Sequence, residues 1–332
     1  MQFPLTLVQI DITSKCNLSC KYCRNSASER DEMSLSDWLL LADRLKEFGV
    51  RTLVLSGGEP FIFGGLAELV KKFWWVKHII ITSNGTILDR KVLEEIRDCK
   101  NVEVQISLDG DEKHHEEMRG KGNFERAIGG VRLLREFEIP IHLKSVITKF
   151  NVDDMRSVVG IANDLGVDKV FIRSVIPVGH ADEHLMSDTA EYVRNFIDAK
   201  KFGDSVGVKV LSGDPFLLNH LIDKKFLSDE SVVGGCLAGM STLYFSFAGD
   251  IGVCSYLNKF YGNIKSDTLN SAFRRISDDF QNVKVKLTGK CGNCRIKHVC
   301  GGCRAMAYSI SGNLFGEDPR AKFCEAKIWE SI

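Results

Sequence analysis

The sequence predicts an α/β fold: an incomplete (β/α)6 barrel with a polar lumen, followed by a small cysteine-rich α+β region. Three observations carry this expectation. Short apolar strands alternate with amphipathic helices through the first 175 residues, and repeated βα units imply parallel strands joined by right-handed crossovers. The strands also carry a polar phase, which a parallel sheet buried on both faces lacks. Finally, 11 cysteines are present, and all but Cys99 fall into two groups.

Strands are expected at 5–12, 51–56, 77–83, 101–108, 140–147 and 168–174. Helical patterns read at 35–48, 64–73, 89–98, 123–138, 153–165 and 188–201. In the first strand Val8, Ile10 and Ile12 alternate with Gln9, Asp11 and Thr13. The fourth alternates Val102, Val104, Ile106 and Leu108 with Glu103, Gln105, Ser107 and Asp109, and the fifth sets Ile141, Leu143 and Ile147 against His142, Lys144 and Thr148. The apolar phase is expected to face the helices and the polar phase to line a ligand cavity. A closed eight-stranded barrel would instead fill its lumen with Val, Ile and Leu. After residue 205 the βα units stop, and LYFSFAGDIGVC reads as a hairpin turning at Gly249 and Asp250. The expected organisation is a barrel over 1–205, a helical bridge over 206–230 and a cysteine-rich unit over 231–332.

Composition narrows the function classes. The chain has 332 residues, with 44% apolar and 27% charged side chains, so a sizeable core is expected. Its 44 basic residues balance 44 acidic ones, which disfavours a nucleic-acid or anionic-membrane binder held by counterion release. No signal peptide and no membrane span is legible, so a cytoplasmic enzyme is expected. An odd cysteine count without an export signal argues for metal or redox chemistry over a disulfide framework.

Cys16, Cys20 and Cys23 follow the first strand, at the carboxyl end where parallel α/β folds bind ligands. Structural zinc wants four ligands and a closed shell; three thiolates within eight residues leave one metal position open. After the second strand comes Gly57-Gly58-Glu59-Pro60. Cysteines spaced CX3CX2C followed by this turn resemble the radical S-adenosylmethionine (radical SAM) superfamily, and the resemblance runs over residues 5–175. It implies that the three thiolates hold a 4Fe–4S cluster whose fourth iron chelates S-adenosylmethionine. One electron then cleaves the sulfonium, giving methionine and a 5′-deoxyadenosyl radical that abstracts hydrogen from substrate. By the same resemblance Tyr22 borders the adenine, and Gly57, Gly58 and Glu59 offer backbone acceptors to the SAM amino group, with Pro60 stiffening the turn. Ser83 and Asn84 contact ribose, and Ser107 and Asp109 contact ribose or carboxylate. Arg119 steadies that side, and Arg173, on the lumen phase of the sixth strand, pairs with the SAM carboxylate.

The second group is Cys236, Cys254, Cys291, Cys294, Cys300, Cys303 and Cys324. Seven thiols exceed one tetrahedral site, and a zinc ribbon separates its paired knuckles by more than five residues. The layout resembles the SPASM extension of radical SAM enzymes, which carries auxiliary 4Fe–4S clusters. That implies Cys236, Cys254 and Cys303 for a first auxiliary cluster, and Cys291, Cys294, Cys300 and Cys324 for a second. No cysteine lies between Cys236 and Cys254, so the first has an open iron or a non-cysteine ligand, or the extension holds one cluster only. Cys99 reads as an ordinary partly buried thiol.

The stretch 234–324 looks like the branch that trims tetrapyrrole side chains in alternative haem and nitrite-reductase haem synthesis. The leading expected substrate is therefore a tetrapyrrole, with a low-potential donor such as ferredoxin or flavodoxin. Modification of a peptide or protein side chain is the alternative; many such enzymes carry an N-terminal peptide-binding module, and only 15 residues precede Cys16 here. A non-enzymatic iron–sulfur electron carrier is the third reading; the Gly-Gly-Glu-Pro turn and the polar lumen argue against it. His142 and His180 sit where a substrate could be met, and neither is assigned as acid or base.

Overall fold

The computed structural model describes residues 5–25, 30–217 and 235–324. Of the helical bridge expected over 206–230, residues 218–230 lie outside the described residues. Strands β1 (Leu7–Thr13), β2 (Thr52–Gly57), β3 (His78–Ser83), β4 (Val102–Ser107), β5 (Ile141–Ile147) and β6 (Lys169–Ser174) pair in parallel and in sequence order. Between them run α1 (Leu35–Lys46), α2 (Leu66–Lys72), α3 (Arg90–Ile96), α4 (Glu112–Arg119), α5 (Asn123–Glu136) and α6 (Met155–Asp164), with α7 (Thr189–Val206) after β6.

Local chemistry sets several of these boundaries. Ser34 and Asp37 form a reciprocal capping box that starts α1. The carboxylates of Asp89, Asp111 and Asp188 accept the first free N–H groups of α3, α4 and α7. Trp38, Leu41, Ala42 and Leu45 make the buried stripe of α1. They share one core with Val8, Ile10, Ile12, Leu53, Leu55, Ile81 and Val104, each fully buried. The apolar strand phase thus packs under the helices, at about 1.5–3 kcal/mol per fully buried side chain.

Two elements differ from the sequence expectation. A seventh parallel strand, β7 (Lys209–Ser212), extends the sheet beyond β6. It is four residues long, too short to show alternation. Helix α4 was not expected because Met118 is the one apolar residue in its eight; its Asp111 cap and the packing of His115 and Met118 make it helical.

The cysteine-rich region continues the same sheet. β8 (Thr242–Phe245) pairs in parallel with β1, and the hairpin leads to β9 (Asp250–Gly252) and β10 (Phe260–Asn263). Gly249 sits at φ +85°, the left-handed conformation this tight turn requires. The strand order is β10-β9-β8-β1-β2-β3-β4-β5-β6-β7, an open ten-stranded sheet. Among the described residues, no helix is long and apolar enough to cross a membrane.

Candidate active site

The start of the loop after β1 is pinned from two sides. Glu32 accepts hydrogen bonds from Thr13 Oγ1 (3.0 Å), Ser14 N (2.7 Å) and Ser14 Oγ (2.6 Å). On the other side the Gly57-Gly58 turn closes on the loop backbone: Gly58 N donates to Thr13 O and Glu59 N to Lys15 O, both at 2.8 Å. A Cβ at Gly57 would lie 2.3 Å from Thr13 O, and one at Gly58 2.1 Å from Lys15 O. Only glycine allows this approach.

Cys16, Cys20 and Cys23 all line one solvent-open cleft of about 890 Å³ at the carboxyl ends of the strands. Cys16 is exposed and the other two are half-buried. Burial pushes the Cys20 thiol up to about 11, opposed by the Arg119 guanidinium, and burial raises Cys16, opposed by the Leu18 N–H. Metal binding at such thiols releases protons.

Glu59 is fully buried and does not reach the cleft. Its carboxylate accepts from Ser83 Oγ (2.8 Å), Asn84 N (2.7 Å) and Phe61 N (3.2 Å), which ties the turn to the end of β3. Burial pushes its pKa up against those three bonds. Ser83, Asn84 and Ser107 line the cleft as expected. Asp109 does not; it is buried as a lock. Arg119 Nε donates to it at 2.5 Å, Tyr22 Oη also donates, and Val146 N donates at 2.9 Å. Burial pushes the Asp109 carboxyl up, but Arg119 outweighs that and holds it below the usual carboxylate range. Tyr22 and Arg119, so locked, both face the cleft.

Arg173 lies on the lumen phase but not on the cleft wall. Its guanidinium stacks 4.2 Å from the Tyr256 ring, close to Cys254 and Cys303. His142 lies deeper, buried against Gln105 (2.5 Å) and 3.5 Å from Glu103. His180 is exposed and donates its N–H to Cys23 O at 2.8 Å.

Apart from the half-buried Cys99, the remaining thiols act on one another in two sets. Cys303 is acted on by Cys236, and Cys254 likewise. Cys300 is acted on by Cys291 and Cys294, and Cys324 by all three. Burial pushes Cys300, Cys303 and Cys324 each up to about 12. Asp318 ties the sets together. Its N–H donates to Cys291 Sγ (3.4 Å) and its carboxylate accepts from Cys303 N (2.8 Å). Arg320 grips Asp318 through Nε (2.9 Å) and Nη2 (2.8 Å) and reaches Ser174 Oγ (2.6 Å) and Asp214 (3.1 Å). Sequence reasoning missed Glu32, Lys144, Tyr256, Asp318 and Arg320 as site residues. Lys144 alone carried a usable signal, because it lies on the lumen phase of β5.

The thiol spacing tests what metal group fits. Tetrahedral zinc, with Zn–S about 2.3 Å, brings its sulfurs to about 3.8 Å of one another. Among the described residues, the one group of three His, Cys, Asp or Glu ligand atoms within 4.8 Å is Asp111, His114 and Asp154. No cysteine trio among the described residues meets that spacing, and all-cysteine donor sets of three or four fit an iron–sulfur cluster.

The sequence profile of the Radical SAM superfamily matches residues 10–165, from β1 through α6. Residues 10–165 form a Radical SAM superfamily domain. This radical SAM enzyme is similar along its length to named relatives. An AdoMet-dependent heme synthase of Methanosarcina barkeri is 26% identical over 94% of this chain and 95% of the relative. The mycofactocin maturase MftC of Mycolicibacterium smegmatis is 27% identical over 93% and 80%. Its fold is that of SuiB of Streptococcus suis bound to S-adenosylmethionine, with TM-score 0.80 at 20% identity over 97% of this chain and 78% of that one. As a radical SAM enzyme the chain uses a 4Fe–4S cluster and S-adenosylmethionine.

Proposed function

We propose that this radical SAM enzyme acts on a side chain of a tetrapyrrole. The observation that carries the reading is similarity to AdoMet-dependent heme synthases over 94–96% of the chain. Cys16, Cys20 and Cys23 hold the SAM cluster. Cys236, Cys254 and Cys303 serve a first auxiliary cluster, and Cys291, Cys294, Cys300 and Cys324 a second. When bound, the SAM cluster supplies the electron that converts S-adenosylmethionine into methionine and a 5′-deoxyadenosyl radical, which removes a hydrogen atom from substrate. The protein's own part is positional. Gly57 and Gly58 bring the turn's carbonyls against the cysteine loop, where they receive the SAM ammonium. Ser83, Asn84 and Ser107 offer hydroxyl and amide groups on the cleft wall, where they meet the ribose. Arg119, held by Asp109, presents a fixed cation beside Cys20. The domain division at 205 and 230 and a ferredoxin or flavodoxin donor are part of this proposal.

A second reading, modification of a peptide side chain, draws on the similarity to MftC over 93% of the chain. Anaerobic turnover with iron coproporphyrin, a low-potential reductant and S-adenosylmethionine distinguishes the two. Deoxyadenosine formed in step with an altered porphyrin mass supports the tetrapyrrole reading; unchanged porphyrin beside a modified peptide overturns it. Reconstituted enzyme is expected to hold about 12 iron if three cubanes form and about 8 if two do, and near one zinc with little iron would reject the cluster assignment.

A further inference from the structure

A second cleft of about 1,280 Å³ adjoins the SAM cleft, and Arg24 and Tyr256 line both. It lies on the lumen-facing phase of the extended sheet, since Tyr244 of β8 is in register with Gln9 of β1. Its walls are aromatic: the rings of Tyr244 and Phe260 have centroids 6.4 Å apart, and Tyr256 closes the side toward the SAM cleft. These side chains are held in place. Arg24 grips Asp11 through both terminal nitrogens (2.7 and 2.6 Å), and Tyr244 Oη donates to the same carboxylate at 2.6 Å. The Arg24 guanidinium sits 5.8 Å from both the Tyr244 and Tyr256 rings. Flat, fixed aromatic walls with a cation at their edge suit a planar aromatic ligand.

Charge at the junction is unbalanced. Arg24 has Asp11 and Arg119 has Asp109. Lys144, on the SAM-cleft wall, has no such partner among the described residues: the charges acting on it most strongly are the Tyr256 phenol and the guanidiniums of Arg173, Arg24 and Arg119. Arg173 Nε is buried without a hydrogen-bond partner among the described residues. A buried ammonium with no carboxylate beside it is unfavourable unless an anion joins it. A carboxylate supplies that charge and accepts from an ammonium donor.

The geometry points to a substrate recognised across both clefts: a planar aromatic body between Tyr244, Phe260 and Tyr256, with a carboxylate arm passing Tyr256 to Lys144. This rests on the tetrapyrrole reading and deepens it, because it names the arm that enters the SAM cleft. The carbons of that arm then lie in the cleft that the three thiols line.

The test titrates iron coproporphyrin into anaerobically reconstituted enzyme, following the Soret band, with S-adenosylmethionine affinity measured in parallel. Lys144→Met and Phe260→Ala are each expected to weaken porphyrin binding about tenfold or more, with S-adenosylmethionine affinity and iron content kept. Lys144→Arg is expected to restore most of the binding, which a mere packing role would not explain. Porphyrin binding equal in wild type and variants overturns the two-cleft site while leaving the tetrapyrrole reading standing. A Lys144→Met enzyme that instead loses S-adenosylmethionine affinity assigns Lys144 to the cosubstrate and overturns the proposal. No Soret change with wild type overturns the tetrapyrrole reading and this inference together.

Discussion

Near the N-terminus the three thiols stand on the rim of an open cleft, with Cys16 exposed and Cys20 and Cys23 half-buried. Near the C-terminus Cys291, Cys300 and Cys303 are buried, and a single aspartate, Asp318, touches both thiol sets. The first region is held by backbone approach: two glycines against Thr13 and Lys15, and Glu32 on the opposite side. The second is held by a buried ion pair. The difference follows from what each must admit. A cluster that binds and cleaves a cosubstrate needs an open side, and the rim supplies it. A cluster that moves electrons or touches substrate at a distance needs a fixed, enclosed setting, since burial and hydrogen bonds to sulfur set its potential.

If the two regions are independent in this way, replacing Cys16, Cys20 and Cys23 together by Ala abolishes deoxyadenosine formation while auxiliary cluster absorbance persists. Continued S-adenosylmethionine cleavage in that triple variant would dismantle the comparison. The next largest effect is expected at Arg320. Arg320→Met strands the buried carboxylates of Asp318 and Asp214, and breaking a buried pair from one side costs about 3–5 kcal/mol. We expect a lower thermal midpoint and lost auxiliary iron, with the absorbance of the SAM cluster retained; unchanged iron content would show that Asp318 is not the tie between the sets. Removing Cys324 tests the same region more locally, and is expected to perturb the second auxiliary cluster while S-adenosylmethionine still binds.

How much of this was readable beforehand divides along the same line. The cysteine loop, the Gly-Gly-Glu-Pro turn and the lumen phase are local patterns, so the six strands and the thiols of the cleft are legible from spacing alone. The lock around Asp109 is not, because its carboxylate is satisfied by Tyr22, Arg119 and Val146 from three separate elements. Arg173 was placed on the correct phase, yet its neighbour Tyr256 comes from the hairpin region, and nothing local connects the two. Asp318 and Arg320 look like surface residues in sequence; their burial is a tertiary fact. β7 and α4 were missed for the same reason: tertiary packing settles them, and their own pattern is too short or too polar.

A smaller effect is expected where the cleft relies on close backbone approach. Gly58→Ala puts a methyl group 2.1 Å from Lys15 O, so the turn must withdraw, at about 1–3 kcal/mol. The expected result is weaker S-adenosylmethionine binding with auxiliary iron unchanged, read by equilibrium binding and metal analysis. Equal affinity would mean the turn does not set the cleft wall.

The smallest effect separates the two regions by pH. His115, on α4, accepts the Asp109 N–H at Nδ1 (3.3 Å) and packs edge-on against Phe124 at 5.8 Å. Burial, with Arg119 nearby, depresses its pKa from 6.5 to about 4. The folded protein therefore holds this imidazole neutral where the unfolded chain binds a proton. The stabilisation is complete above pH 6.5 and is lost as pH falls from there toward 4, at no more than about 1.4 kcal/mol per pH unit. Because His115 supports Asp109, and Asp109 supports Arg119 and Tyr22, weak acid is expected to loosen the cleft side first. His115→Gln keeps an acceptor for the Asp109 N–H but cannot charge. Its thermal midpoint is expected to fall less than that of wild type between pH 7 and 5.5, and identical pH dependence in the two proteins would place the acid sensitivity elsewhere.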